Sequence, residues 1–221
     1  MGPNVLFILS DDQSYLAQHR VCPEIITPTL DKLAEEGCFF ENCFCASPVC
    51  SPARASLLTG TMPSFHGIHD WLISGSVDVS RLPPECRERE PIRANEGVAI
   101  DFLEGIPTYT DILAEHGYDI ALSGKWHLGD TMKKRKGYTY WNTILRGGCR
   151  YRSYDLYADG KVTAHTDYLT DRIADNAIDY LTNHRGGEAL LSWGAFYGTP
   201  YPLGQIRAPG SHLGTVSAYI L

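Results

Sequence analysis

Polar and apolar residues fall into two recurring patterns along this chain. The first is a continuous apolar run that ends abruptly in polar residues. Asn4 to Ser10 (NVLFILS) is such a run, and it stops at Asp11 and Asp12. Apolar residues without alternation predict a strand buried on both faces, as in the parallel sheet of an α/β fold. Cys38 to Phe44, Asp119 to Ser123 and Ala189 to Trp193 predict further strands. Gly137 to Trp141 predicts a strand or turn packed by aromatics. Tyr154 to Thr163 predicts a hairpin about Asp159-Gly160, a pair suited to a tight turn.

The second pattern is helical. Thr27 caps a predicted helix whose apolar residues are Leu30, Leu33 and Ala34 and which stops at Gly37. In Cys50 to Gly60 (CSPARASLLTG), Pro52 suits a first helical turn and Gly60 a C-terminal stop. Tyr109 to His116 predicts a short helix ending at Gly117. Asp167 to Asn183 carries Leu169, Ile173, Ala174, Ala177, Ile178 and Leu181 at amphipathic helical spacing. Between these elements, Met62 to Trp71 reads as a loop. Ser74 to Glu104 reads as a polar, irregular excursion from the core, in one reading a lid. Gly204 to Leu221 shows no clean period.

At 221 residues the chain is long enough for one substantial core. Its 43% hydrophobic and 20% charged content is that of a soluble globular protein. Net charge is -7 and the basic residues are scattered, apart from Lys133 to Lys136 (KKRK). That short run reads as a solvated loop, so no nucleic-acid partner is expected. The early apolar run Val5 to Leu9 is far below the ~20 residues that span a bilayer, and no membrane partner is expected. It is also too short for a secretory leader, so the chain as written predicts a cytoplasmic location. A periplasmic or secreted location follows if a leader has been removed.

The seven cysteines are an odd number in a chain that is not small, which argues against a disulfide scaffold. Cys38, Cys43, Cys45 and Cys50 lie close together but lack the paired Cys-x-x-Cys of common zinc and iron–sulfur sites. Cys38, Cys43 and Cys45 therefore read as small buried residues in a strand.

Cys50 stands apart because the helix pattern places it at an N-terminus, where free N–H groups and the dipole favour negative charge. Arg54, one turn on, points back at the same spot. Asp11 and Asp12 sit at the carboxyl end of a strand, where α/β folds gather ligands. Two adjacent carboxylates there repel unless a cation neutralises them, and a hard divalent cation with oxygen ligands, Ca2+ or Mg2+, fits best. Lys125 and His127 alternate off the end of the Asp119–Ser123 strand, so both can face one side. A lysine ammonium holds an oxyanion as a point charge, and a histidine can give or take a proton. His66 and His69, in the loop after the Cys50 helix, are candidates for substrate contact.

Cys50, Pro52, Arg54, Thr59 and Gly60 together resemble the sulfatase signature, Cys-x-Pro-x-Arg followed by Thr-Gly. GYDIALSGKWHLG, Gly117 to Gly129, resembles the second signature of that family, and PNVLFILSDDQ its N-terminus. The resemblance implies an α/β fold, an alkaline-phosphatase-like α/β/α sandwich with a mostly parallel sheet. It covers about residues 3 to 195 of a single domain over 1–221. It leaves 196–221 as a divergent tail and the sheet incomplete at the C-terminus. Sulfatases usually place a histidine just after the Ala189–Trp193 strand. Here Phe196 to Pro202 has none, and His212 is too far along to assign. With the sheet expected to be incomplete at the C-terminus, the Ala189–Trp193 strand is expected near a sheet edge.

The resemblance also implies a sulfuric ester hydrolase acting on a small-molecule or glycan sulfate ester, a sulfated carbohydrate as the base-rate choice. A formylglycine-generating enzyme would oxidise Cys50 to formylglycine, whose hydrate is the nucleophile. Asp11, Asp12 and the Cys50-derived diol would hold Ca2+. Arg54 and Lys125 would offset charge, and His127 would handle protons. The alternatives are a phosphonate monoester or phosphodiester hydrolase of the same superfamily, or an inactive truncated fragment.

Overall fold

The computed structural model describes residues 3–89, 97–183, 190–195 and 216–220. Among them is one sheet of strands β1 (Asn4–Leu9), β2 (Asp119–Gly124), β3 (Tyr138–Ile144), β4 (Tyr154–Ala158), β5 (Lys161–His165), β6 (Leu190–Ala195) and β7 (Val216–Ile220). Their order is β5-β4-β3-β2-β6-β1-β7. β7, β1, β6, β2 and β3 run parallel to their neighbours, while β3–β4 and β4–β5 are antiparallel. The expected mostly parallel sheet is thus present, with an antiparallel flank. That flank includes the expected hairpin: Asp159 and Gly160 both take positive φ, 48° and 80°, as a two-residue type I′ turn demands.

The helices are α1 (Pro28–Glu36), α2 (Cys50–Thr59), α3 (Pro63–His66), α4 (Pro84–Arg89), α5 (Tyr109–Glu115) and α6 (Leu169–Asn183). Side chains of a strand point alternately to its two faces, and both faces of this sheet are covered. On one, Val5, Phe7, Leu9, Ile120 and Leu122 pack with Ala55 and Leu58 of α2 and with Trp126, Tyr138 and Trp141. On the other, Leu6, Ile8 and Ile144 pack with Leu169 and Ile173 of α6. This is the three-layer α/β/α arrangement, and it explains why β1 reads as apolar without alternation. α5 starts on a capping box: Thr108 accepts from the Asp111 N–H while the Asp111 side chain takes the Thr108 N–H.

Three expectations are corrected. Cys38 to Phe44 is not a strand; it is a turn and irregular backbone, and Cys38, Cys43 and Cys45 are exposed rather than buried. Both edges of β1 are taken, by β6 and β7, so this segment finds no edge of β1 to pair with. The Ala189–Trp193 strand is not at an edge: β6 lies between β1 and β2 and pairs with both. The Ser74–Glu104 stretch is no loose excursion over its described part. It holds a 3-10 turn at Val79–Arg81 and α4, and its Val77, Leu82 and Cys86 close a small core with Met132 and Leu145. Within the tail, Val216–Ile220 forms β7 beside β1. The expectations for Phe196 to Pro202 and for His212 lie outside the described residues. No helix among the described residues is long and apolar enough to cross a membrane.

Candidate active site

The site is assembled at the carboxyl ends of β1 and β2, where two strand ends and one helix start meet. β1 runs into Asp11, which is 8% exposed. α2 begins at Cys50, and Gly60 closes it in the left-handed conformation at φ 66° with its N–H on the Ser56 carbonyl. β2 ends at Gly124, followed by Lys125 and His127, at 1% and 0% exposure. His127 itself sits in the left-handed region, φ 59°, a conformation costly for any residue but glycine.

These residues touch one another. Lys125 Nζ donates to Asp11 Oδ2 at 2.6 Å, and Arg54 Nη2 donates to the same oxygen at 3.1 Å. Arg54 Nη1 donates to the Lys125 carbonyl at 2.8 Å, which ties α2 to the end of β2. The Cys50 thiol reaches Asp11 Oδ1 at 3.5 Å. A buried carboxylate therefore carries two buried cations and the thiol. Burial pushes the Asp11 pKa up, but Lys125 and Arg54 outweigh it and hold the carboxyl below its ordinary value.

His127 is set by a second loop. Its Nε2 lies 3.0 Å from the Leu72 carbonyl, which can only accept, so the proton is on Nε2. Nδ1 is left with its lone pair and has no hydrogen-bond partner among the described residues. Leu72 is pinned from the other side, since its N–H donates to Ser51 Oγ at 3.2 Å, next to Cys50. Trp71, 39% exposed, stands edge-on to the His127 ring at 5.8 Å. A Cβ at residue 147 would overlap the imidazole, so glycine is required there for His127 to keep its place. Leu72 and Gly147 escape sequence reading because they act through backbone or through lack of a side chain, and Ser51 because its hydroxyl acts only through Leu72.

Burial first, and the Lys125 charge second, push the His127 pKa from 6.5 down to about 4. A group whose pKa is depressed on folding stabilises the fold fully above its unfolded value, and that contribution is lost as pH falls toward the folded value. For His127 the window runs from 6.5 to about 4 and amounts to on the order of 3 kcal/mol. Urea unfolding at several pH values should show this slope, and His127→Asn should flatten it. An unchanged slope in the variant would mean that another group is responsible.

Not every candidate joins the cluster. Asp12 is exposed, with φ 59°. His66 is buried and engaged locally: Nδ1 accepts from the Ile68 N–H at 3.2 Å and Nε2 reaches Ser56 Oγ at 3.0 Å. Burial, then the neighbouring His69, lower its pKa. His69 is exposed on the same loop. Asp11 and Asp12 offer the oxygen chemistry that a hard cation takes. However, Asp11 Oδ2 is already engaged. Among the described residues no group of three or more His, Cys, Asp or Glu side chains is gathered to hold an ion. The described residues match a Ca2+ site in kind and not in number.

The family model described as Sulfatase matches residues 3–199. The N-acetylglucosamine-6-O-sulfatase of Bacteroides thetaiotaomicron is 30% identical over 185 residues, covering 82% of this chain and 28% of that protein. The human N-acetylgalactosamine-6-sulfatase is 29% identical over 199 residues, covering 86% of this chain and 34% of that one. Among solved structures, BT4656 in complex with its substrate D-Glucosamine-2-N, 6-O-disulfate matches with TM-score 0.67 and 25% identity. The match covers 90% of this chain and 35% of that one. The chain thus spans about a third of the length of the relatives it matches.

Proposed function

The chain belongs to the sulfatase family, and from that premise we propose that its cleft serves hydrolysis of a sulfate monoester of a carbohydrate. The observation that carries this reading is the contact of Cys50 with Asp11, itself held by Arg54 and Lys125, at the start of α2. The amino-sugar sulfates that the related proteins act on make a sulfated sugar the natural substrate class.

In this reading a maturation enzyme oxidises Cys50 to formylglycine, and water adds to give a geminal diol. One hydroxyl attacks sulfur and the S–O bond to the sugar breaks, releasing the alcohol. The second hydroxyl then loses its proton, the aldehyde re-forms and sulfate leaves. His127 Nδ1, unprotonated and with no hydrogen-bond partner among the described residues, is suited to take that proton. Arg54 and Lys125 offset the charge that builds on the diol and sulfate oxygens, and their burial strengthens the effect. Asp11 and Asp12 are the residues of this chain that would help to hold Ca2+, whose charge when bound polarises a sulfate oxygen.

The test is to produce the chain beside a formylglycine-generating enzyme and assay a 6-O-sulfated N-acetylhexosamine and a matched pair of aryl sulfate and aryl phosphate esters. Release of sulfate from the sugar, with the aryl sulfate preferred, is the expected result. Preference for a phosphonate or phosphodiester would replace this reading with that of another hydrolase. Failure to act on any ester by a matured chain would show that it is inactive alone.

A further inference from the structure

Apart from Gly147, the loop after β3, Arg146 to Ser153 (RGGCRYRS), has no part in the chemistry above, yet it runs beside the cleft. Its Gly147 lies directly against the His127 ring. Further on, burial, the neighbouring Tyr168, and then the charges of Asp12 and Asp11 raise the Tyr151 pKa, so its hydroxyl feels the carboxylate side of the cleft. The loop is held in shape between these points. Arg150 and Ser153 form an antiparallel bridge, and the Tyr151 carbonyl accepts from the Leu169 N–H at 2.9 Å, at the start of α6. Tyr151 stacks on Tyr168 at 5.5 Å, and the Arg152 guanidinium lies over the same ring at 5.4 Å.

Arg150 and Arg152 are both exposed, and neither is ion-paired among the described residues. In a chain of net charge -7, two exposed guanidiniums with no ion pair among the described residues, on an anchored turn beside the cleft, make a local positive rim. A guanidinium fork matches the oxygens of a sulfate or carboxylate. We infer that Arg150 and Arg152 form a subsite for a second anionic group of the substrate, a sulfate ester or uronate carboxylate on the same glycan. The inference rests on the sulfate ester reading and narrows its substrate class to polyanionic sugars.

The experiment uses calorimetric titration of the full, unmatured chain, which cannot turn a sulfate over. Three probes are compared: N-acetylglucosamine 6-sulfate, D-glucosamine-2-N,6-O-disulfate, and a disaccharide with one 6-sulfate and one uronate. The dianionic sugars should bind about tenfold more tightly than the monosulfate, the scale of two exposed charge contacts. R150Q/R152Q should remove that advantage and leave the monosulfate affinity unchanged, while R150K/R152K should retain part of it. The advantage should shrink with salt. Whichever dianion gains more identifies the group the subsite takes. If the folded wild-type chain binds the monosulfate and dianions equally, or the glutamine pair keeps the full advantage, this inference fails and the sulfate ester reading stands. If no sulfated sugar binds at all, both fall together.

Discussion

When the chain is made beside a formylglycine-generating enzyme, the peptide carrying Cys50 should contain an aldehyde. Cys50→Ala should then lower sulfate ester turnover by on the order of 10^4 or more, the usual cost of losing a covalent nucleophile. The physical reason is that a thiol, once sulfated, has no second hydroxyl through which to expel sulfate. The wild-type chain left unmatured should therefore be nearly as inactive as the variant. Mass spectrometry, with a hydrazide probe for the aldehyde, and a sulfate-release assay read the two halves separately. Full turnover by a chain whose Cys50 is wholly thiol would defeat the proposal, whereas an aldehyde without turnover would confine the failure to later steps. Residue 50 lies at the first turn of α2, within 3.5 Å of Asp11, so the alanine change leaves the rest of the charge cluster intact.

Asp11→Ala should destabilise the fold by about 3–5 kcal/mol, as breaking a buried ion pair does. The carboxylate offsets Lys125 and Arg54, which are 1% and 2% exposed and would be left facing one another without it. Asp11→Asn should recover little, because shape without charge leaves both cations uncompensated. Denaturant unfolding at neutral pH checks this, and a loss below about 1 kcal/mol would show that water reaches the cluster and screens it. The pH dependence has its own sign. The Asp11 carboxyl is held below its ordinary value, so its contribution is whole above about 3.9 and fades as pH falls from there through the folded value. This lies below the window in which His127 acts, so the two groups can be told apart in one acid titration.

Much of this was legible in the residues. β1 and β2 announced themselves as apolar runs, α6 as an amphipathic period, and the β4–β5 turn as Asp159-Gly160. The placement of Cys50 at a helix start needed only Pro52, the helix formers after it and Gly60. The convergence of Asp11, Asp12, Cys50, Arg54, Lys125 and His127 was expected from strand ends and motif resemblance, and Asp12 is instead exposed outside the contact cluster. The contacts among Asp11, Cys50, Arg54 and Lys125 then appeared in the fold.

What local pattern misjudged was pairing. Cys38 to Phe44 is as apolar as a strand, but it pairs with no described strand, and both edges of β1 are held by β6 and β7. The Ala189–Trp193 run was recognised as a strand and misplaced at an edge, because position within a sheet is decided by contacts with residues far along the chain. The proton on His127 was also beyond reach. Its tautomer depends on a backbone carbonyl at Leu72, and its depressed pKa on burial and on Lys125. Sequence by itself determined most of the elements and the family, since those follow from local periodicity and motif spacing. Only the tertiary structure decided the strand order, the charge triad at Asp11 and the protonation of His127, because each depends on long-range neighbours and on exclusion of water.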